Sequence, residues 1–545
     1  MYIATVPNRS SPPAILLRHS YREDGKVKSK TLLNVTSWDT DKIIALKKLL
    51  NGDDDLYLGS PCQGSNFGIL FSLYQLAKES GISGSLGKKR EGLLSLFLVL
   101  ARISHQGSRL SASIWSKNQA VKEVLGIEKG FDEDDLYKSL DWLCKNQNQV
   151  ERKLYKKYVS QHGNPPALVL YDVTSSYFEG DKNALASYGY NRDKKKGKKQ
   201  IVIGLLTSET GEPLAIRVFK GNTTDCSTVS DQIEVLKQEL GIKEVVFIGD
   251  KGMVKSTGKK SLTKESWRYI TSIGKMEIRK LMKEGVIQYD LFEEKLQEVS
   301  YEGKRYVLRL NKQLRDMLNH KRDDRLKDLE SKLRSRNEFT KNNIRTNLES
   351  GKKNLDALAQ RYRLDKFIEI TINKSERKLE LKIDEDLKRD TFMLDGCYAL
   401  ETDVSNETMD KGQIDARYHD LSKVERNFRT IKTTLLEVRP IYLRDEGSTR
   451  AHVFISMLAL KLTRLFESKL KDHFGLGKTG RYNMTIDEAL GHLEKINFLE
   501  YEFAGKKTVK LPRLNKVQSS IFQALGITMP KTVGIKQKHK KCEIR

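Results

Sequence analysis

Cysteines are few in this sequence, and no two of them lie close together. The five are scattered along 545 residues, at Cys62, Cys144, Cys226, Cys397 and Cys542. No CxxC pair occurs, so the sequence indicates neither a zinc site nor a disulfide framework. A protein of a reducing cytosol is the expected class.

Long apolar runs are also missing. The longest, residues 92–101, is too short to span a bilayer, and we expect a buried helix there. The basic residues 88–90 precede this run, but they lie too far inside the chain to form a signal peptide. No membrane partner is therefore expected, and no secretion or organelle signal is visible.

Acidic residues are too few to balance the basic ones. Lys and Arg number 98 and Asp and Glu number 72, which leaves a net charge of +26. Because such an excess opposes folding through self-repulsion, it favours a polyanionic partner, most simply nucleic acid, over a merely basic protein. The length of 545 residues also exceeds what one core organises, so about two to four domains are expected.

Changes in composition and periodicity divide the chain into five regions. Residues 313–363 within the third region are highly charged, and they predict either a solvated helical strut or a nucleic-acid groove, of which the strut is the commoner case. The five predicted regions are an N-terminal DNA-binding region with a β hairpin and helices (1–160), the first part of a catalytic core (161–255), a β-rich and helical insertion (256–388), the second part of the core (389–470), and a C-terminal helical region with a basic tail (471–545).

Residues 167–253 alternate between apolar strands and a single helix. Three strand-like runs come first, a helix ending at Gly241 follows, and a further apolar strand ends at Asp250. This β-β-β-α-β order matches the first half of an RNase H-like fold. The predicted fold class is therefore α/β, with a mixed sheet rather than a wholly parallel one.

Residues 418–432 predict a helix with two distinct faces. Tyr418, Glu425 and Lys432 recur every seven residues, so we expect them on one side, with Arg429 beside them. A carboxylate in that company suits a metal ligand that also faces a phosphate backbone. Beside this face runs an apolar stripe at helical spacing, made of Val424, Phe428, Ile431 and Leu435.

Two further carboxylates lie in or directly after apolar strands. Asp172 interrupts one strand, where an uncompensated charge is costly, and Asp250 ends another, where ligand-binding groups gather in open α/β sheets. Each of the three carboxylates has an ordinary explanation when taken alone. Asp172 could be a buried Asp bonded to hydroxyls, Asp250 could cap a loop, and Glu425 could pair with Arg429. As a set, two Asp and one Glu can hold two magnesium ions roughly 3.5–4 Å apart.

These motifs, in this order, resemble those of the DDE transposases of the bacterial insertion-sequence-4 group. The signature of that group is Tyr, two residues, Arg, three residues, Glu, six residues, Lys. Tyr418, Glu425 and Lys432 match it, while Leu421 stands where Arg is usual. After its second carboxylate the group places a glycine and then an aromatic residue; Gly252 keeps the first, and Met253 stands where the aromatic residue is usual. The stretches YDVTSSYFEG and GNTTD match one branch of the group.

The resemblance implies a transposase that acts on double-stranded DNA, both transposon ends and target, as a homodimer assembled on DNA. It implies that Asp172, Asp250 and Glu425 are catalytic residues and ligands of two Mg²⁺ ions, with Mn²⁺ as a substitute. Hydrolysis would expose a 3′-hydroxyl that then attacks target DNA. The expected location is the bacterial cytoplasm, in association with the nucleoid.

The resemblance also implies DNA contacts. Tyr418, Arg429 and Lys432 would hold phosphates near the cleaved bond. Trp267 is the counterpart of an insertion-domain tryptophan that stacks on a flipped base in related enzymes, although a core tryptophan is the commoner case in a β region. The loop 192–200 is expected either to contact DNA phosphates or to be a solvated hairpin tip. Its lysines include Lys194, Lys195 and Lys196.

Two other functions remain open on the sequence alone. A catalytically inactive DNA-binding protein derived from a transposase is one, although the presence of all three carboxylates argues against it. A structure-specific nuclease that cuts without strand transfer is the other, and it would share the same core. End-containing DNA offered with Mg²⁺ separates the three, because only a transposase gives joined products.

Overall fold

The computed structural model describes residues 1–9, 11–51, 62–254, 256–264, 267–293, 295–433, 435–477, 483–503 and 506–530. The predicted basic tail, residues 536–545, lies outside these residues. The described chain divides into two units, one formed by residues 1–76, 110–130 and 466–545 and the other by residues 77–109 and 131–465. The region predicted as one N-terminal domain, residues 1–160, is therefore shared between the two units.

The described elements include sixteen strands and nineteen α-helices. The strands are β1 (Tyr2–Val6), β2 (Ala14–Glu23), β3 (Lys26–Asn34), β4 (Cys62–Asn66), β5 (Leu168–Tyr177), β6 (Gln200–Ser208), β7 (Pro213–Lys220), β8 (Val246–Gly249), β9 (Arg268–Ser272), β10 (Gln297–Tyr301), β11 (Lys304–Leu310), β12 (Ile368–Asn373), β13 (Lys378–Ile383), β14 (Cys397–Thr402), β15 (Asn497–Phe503) and β16 (Lys506–Lys510). The helices are α1 (Thr40–Leu50), α2 (Gly68–Glu79), α3 (Ile82–Leu86), α4 (Arg90–Ser104), α5 (Arg109–Ser116), α6 (Val121–Leu125), α7 (Glu133–His162), α8 (Thr228–Glu234), α9 (Ser256–Lys264), α10 (Lys275–Lys283), α11 (Asp290–Glu293), α12 (Lys312–Asn342), α13 (Leu348–Tyr362), α14 (Glu385–Phe392), α15 (Lys411–His419), α16 (Leu421–Lys432), α17 (Glu446–Phe474), α18 (Ile486–Leu493) and α19 (Lys516–Leu525).

An eight-stranded mixed sheet forms the centre of the larger unit. Its order is β10-β11-β14-β9-β8-β5-β6-β7. Strands β5, β8 and β9 run parallel to one another, whereas β6 and β7 are antiparallel to their neighbours. Five of these strands, in the order β7-β6-β5-β8-β9, give the sheet of an RNase H-like α/β fold, as the sequence predicted.

Burial on both faces explains why the strands at the centre of this sheet read as continuous apolar runs. All nine residues of β6 are buried, and β5 is buried at most positions. One face packs against α7, whose Tyr155 and Tyr158 join Val169, Tyr171 and Val173 of β5 in one hydrophobic cluster. Asp172 alternates with these strand residues and therefore belongs to the opposite face.

Strand β9 changes the predicted boundary of the insertion. The insertion was expected to begin at residue 256, yet β9 pairs in parallel with β8 inside the central sheet. Strands β10, β11 and β14 extend the same sheet by antiparallel pairing. Residues 312–383 build a separate layer, in which α12 and α13 pack on the hairpin β12–β13 around their own apolar cluster.

The smaller unit contains two three-stranded sheets, β1-β2-β3 and β16-β15-β4. All nine residues of β3 are exposed, because it pairs with β2 alone and carries mostly polar side chains. Phe67 lies with its ring centroid 5.0 Å from that of Phe498. In the described residues no helix is both long and apolar enough to cross a membrane.

Residues 418–432 form two helices rather than the single helix that was predicted. Helix α15 ends at His419 and α16 begins at Leu421. Asp420 stands between them, and its carboxylate accepts from Arg417 at 3.0 Å and pairs with Lys423 at 2.9 Å. The backbone N–H of Asp420 bonds three residues back, to Arg417, so the regular helical pattern is interrupted there. Tyr418 and Glu425 therefore lie on different helices.

Candidate active site

Asp172 and Asp250 are neighbours because their strands run side by side. Strand β5 is parallel to β8, and the register pairs Tyr171 with Gly249. The residues that follow this pair, Asp172 within β5 and Asp250 directly after β8, therefore lie next to each other. Helix α16 packs across β5 and β6 and brings Glu425 to the same region.

The pKa of Asp172 shows that the three carboxylates influence one another. Burial is the largest cause that raises this pKa, from 3.8 to about 7, and the negative charges of Glu425 and Asp250 raise it further. The N–H of Val173, which donates to Asp172 Oδ1 at 2.7 Å, and the charge of Arg192 oppose the rise. Three carboxylates that are distant in sequence thus share one electrostatic environment.

Asp250 is exposed and is held by three donors. The backbone N–H of Lys251 donates to Oδ1 at 2.7 Å, and the hydroxyl of Ser272 lies 3.3 Å from the same oxygen. The hydroxyl of Tyr418 lies 3.3 Å from Asp250 Oδ1 and 2.8 Å from Ser272 Oγ. Burial raises the pKa of Tyr418 to about 12, so this phenol stays protonated and remains a donor. In this structure Tyr418 supports a carboxylate, which differs from the phosphate contact that was expected.

Glu425 is exposed on α16, about 100° around the helix from Val424 of the apolar face that fixes this helix. Val424, Phe428 and Ile431 are buried, which confirms three members of the predicted core stripe. The fourth, Leu435, lies beyond the end of α16 at Lys432 and is half-buried. Asn427 also anchors α16, because its side-chain amide donates to the carbonyl of Gly211 in the β6–β7 turn at 2.8 Å. No pattern in the sequence indicated this anchor.

The ordinary explanation of Glu425 as the partner of Arg429 is not realised in the described structure. No ion pair or hydrogen bond joins these two side chains among the described residues, and both are exposed. Arg429 is therefore presented to solvent beside Glu425. Its predicted contact with DNA stays a prediction.

The donor set fits divalent cations that are shared with a substrate. Among the described residues, no three His, Cys, Asp or Glu side chains are grouped closely enough to hold one metal ion. Magnesium is usually bound in proteins through one or two carboxylates, with water and phosphate oxygens as its other ligands. A partly buried Asp172 that is destabilised by two neighbouring carboxylates has the chemistry that a bound cation would compensate.

Lys432 belongs to an ion-pair group that the sequence did not indicate. Its ammonium lies 2.9 Å from Asp193 Oδ1, and the side chain of Asp193 is only 2% exposed. Arg439 pairs with the same carboxylate, which also accepts from the backbone N–H of Tyr177 at 3.1 Å. Burial lowers the pKa of Lys432. Lys432 is thus engaged within the protein, whereas the sequence predicted a phosphate contact.

Arg192 forms the second ion pair beside the carboxylates. Its guanidinium donates to both oxygens of Asp225 at 2.7 Å. The pair closes the side of the site near Gly252, where a Cβ would lie 3.4 Å from Asp225 Oδ2. The arginine follows β5 in the chain and the aspartate follows β7, so no local motif could have linked them.

The remaining predicted DNA contacts involve one buried residue and three exposed ones. Trp267 is 2% exposed, and its indole N–H donates to the carbonyl of Lys243 at 2.8 Å. Because Trp267 lies in the core cluster of the sheet, no ring face is open to a base, and the predicted stacking role is wrong for this structure. The three lysines of the loop after β5 are exposed, and their contact with DNA stays a prediction: Lys194, Lys195 and Lys196.

The sheet order and the carboxylates at its centre define the class of protein. An RNase H-like α/β core with acidic residues on the middle strands is an architecture for phosphodiester chemistry on nucleic acids. Comparison with known families gives the particular member of this class. The family described as "Transposase DDE domain" matches residues 163–462, and "IS1634 family transposase, N-terminal domain" matches residues 3–59.

The first match spans more than half of the chain, so the chain belongs to the DDE transposase family, and it is a DNA transposase. The two matches together support an insertion-sequence element as its origin. No curated protein matches the chain. Among solved structures, a piggyBac transposase synaptic complex with hairpin DNA, determined by cryo-EM, is similar at 9% identity with a TM-score of 0.35, over 74% of this chain and 70% of that one.

Proposed function

We propose that Asp172, Asp250 and Glu425 are the catalytic carboxylates of this transposase and that together they hold two Mg²⁺ ions, which Mn²⁺ can replace. The observation that supports this most directly is the electrostatic coupling of Asp172 to both of the other carboxylates. DDE transposase domains use divalent metal ions. When bound, such cations activate the attacking oxygen and stabilise the leaving oxygen of a phosphodiester.

The side chains around the carboxylates position them. Tyr418, Ser272 and the N–H of Lys251 restrain Asp250, and α16 carries Glu425 on a rigid helix that is packed on β5. Arg192 partly offsets the negative charge at Asp172. The site is thereby prepared for a cation and a phosphate, although its carboxylates repel one another.

The proposed reaction has two steps at each transposon end. Water attacks the phosphodiester at the end, and the bond to the 3′-oxygen breaks, which leaves a 3′-hydroxyl. That hydroxyl then attacks a phosphodiester of the target DNA. A P–O bond to the transposon 3′-oxygen forms as a P–O bond of the target strand breaks, which releases a hydroxyl on the target strand. Because both ends must be held at once, we propose a homodimer on double-stranded DNA, acting at the nucleoid of the bacterial cytoplasm.

The N-terminal part is the proposed reader of the transposon ends. The ribbon of β2 and β3 is largely exposed and carries a series of basic side chains suited to phosphates. They are Arg18, Arg22, Lys26, Lys28 and Lys30. We also propose that the chain is affiliated with the insertion-sequence-4 group, on the spacing of Tyr418, Glu425 and Lys432.

Replacing the three carboxylates one at a time tests the proposed site. Asp172→Asn, Asp250→Asn and Glu425→Gln are each expected to abolish cleavage of end-containing DNA with Mg²⁺ while leaving end binding largely unchanged. Asp181→Asn is the matched control, because its side chain is 89% exposed. Near-wild-type cutting by a variant removes that residue from the site. Cleavage by the wild type without joined products would favour a nuclease, and binding alone would favour an inactive derivative.

A further inference from the structure

A cavity rich in lysine opens directly beside Asp250. It has a volume of about 710 Å³, and its wall includes Lys251 and Ser272, the two neighbours of Asp250 described above. Four lysines line it, against two glutamates: Lys251, Lys259, Lys260, Lys304, Glu277 and Glu401. We call it the lysine cavity. Its charge suits an anion, and its volume lies in the range of small-molecule sites.

A buried carboxylate organises this cavity. Glu401 on β14 is 2% exposed, and it accepts from Lys259 Nζ at 2.6 Å and from the hydroxyl of Tyr269 at 2.7 Å. Lys304 Nζ lies 3.1 Å from the other side of the same carboxylate. Burial opposes ionisation, but the bonds from Lys259 and Tyr269 outweigh it and hold the pKa of Glu401 below its ordinary value.

This arrangement leaves positive charge for a ligand. One carboxylate neutralises a single charge, yet two lysines contact Glu401, and each ammonium has three donors, of which Glu401 takes one. Lys251 and Lys260 are exposed and have no ion-pair partner in the described part of the chain. Because Glu401 already fixes two lysine head groups, less side-chain entropy is lost when an anion binds.

We propose that the lysine cavity is a subsite for the sugar-phosphate backbone of the DNA strand that continues from the cleaved bond. The proposal rests on the proposed function, since Asp250 marks where that bond would lie. A strand is favoured over a single small anion because four lysines are spread over α9, β11 and the turn after β8, which suits successive phosphates.

Binding of a short fluorescent oligothymidylate in EDTA tests this subsite without catalysis. Lys260→Ala/Lys304→Ala should weaken binding and reduce the slope of log affinity against log salt by about 1.4, since each phosphate contact to a single strand contributes about 0.7. Lys260→Ala alone, which leaves the contacts of Glu401 intact, should reduce the slope by about 0.7. This single variant guards against misfolding of the double variant.

The matched control is Lys145→Ala/Lys156→Ala. Both lysines are exposed on α7, which packs on the sheet face opposite Asp172. A slope that changes equally in the control and in the cavity variant overturns the proposal, as does a slope that changes in neither. A third outcome also overturns the proposal. If inorganic pyrophosphate stabilises the wild type but not the double variant, and oligothymidylate binding is the same in both, the cavity is a site for small anions.

The same assay separates this inference from the proposed function. Asp172→Asn/Asp250→Asn should bind oligothymidylate with the wild-type salt slope, because the lysine cavity is intact. If the cavity variants keep wild-type binding while the carboxylate variants lose cleavage, this inference fails and the catalytic site stands. If the carboxylate variants still cleave while the cavity variants lose their slope, the catalytic assignment fails and the anion subsite stands.

Discussion

Replacing Asp172 by Asn should stabilise the larger unit when divalent cations are absent. The folded protein raises the pKa of this carboxyl from 3.8 to about 7, so the folded state retains a proton that the unfolded chain releases. Stability contributed by Asp172 therefore falls as the pH rises from about 4 through about 7. Asparagine has the same shape and does not ionise, so it avoids this penalty.

The size of the effect follows from the pKa shift. At about 1.36 kcal/mol per pKa unit, the shift corresponds to on the order of 4 kcal/mol at pH values above the folded pKa. Because contact with solvent screens the charge of Asp172, we expect the variant to be more stable than the wild type by about 2 kcal/mol. Below the folded pKa the penalty shrinks. The difference in free energy of unfolding between variant and wild type should therefore decrease by roughly half or more from about pH 8 to about pH 5.

Urea denaturation in EDTA, followed by tryptophan fluorescence, measures this gap. Trp267 lies in the core cluster of the sheet and reports on the unfolding of that unit. Added Mg²⁺ should stabilise the wild type and close the gap, because it binds only the folded ionised site. A variant that is equally stable or less stable at both pH values would show that Asp172 is not destabilised by burial and by its neighbours. Asp181→Asn, at an exposed position, should have no effect.

Two further predictions concern the supporting residues. Asp193→Asn should destabilise the protein by about 3 kcal/mol, because it leaves Lys432 and Arg439 without their shared buried carboxylate; an unchanged urea midpoint would contradict this role. Tyr418→Phe should leave stability almost unchanged but lower the rate of end cleavage about tenfold, since the phenol that restrains Asp250 is lost. Single-turnover cleavage measures the second effect, and a wild-type rate would show that Ser272 and the backbone suffice.

Apolar patterns along the chain predicted most of the central fold. Strand β6 is apolar throughout because both of its faces are covered, and the apolar stripe of α16 recurs at helical spacing because one face packs on β5. Asp172 was recognisable because a charge in such a strand needs compensation. Local periodicity carries this information, since each residue reports on its own environment.

Some features depended on residues that are far apart in the chain. Asp193 and Lys432 pair across 239 positions, and neither has a neighbouring residue that indicates the other. The sequence around Trp267 is compatible with a core residue and with a residue that stacks on a base. The packing of β9 beside β8 places Trp267 in the core.

The sequence by itself determined the α/β class, the carboxylates in apolar surroundings and the family to which they belong. The tertiary structure decided which polar groups meet: Tyr418 with Asp250, and Lys432 with Asp193. The physical reason is that burial leaves a periodic trace along one segment, whereas an ion pair or a hydrogen bond across the fold depends on sheet order and register. Those are set by the packing of the whole unit.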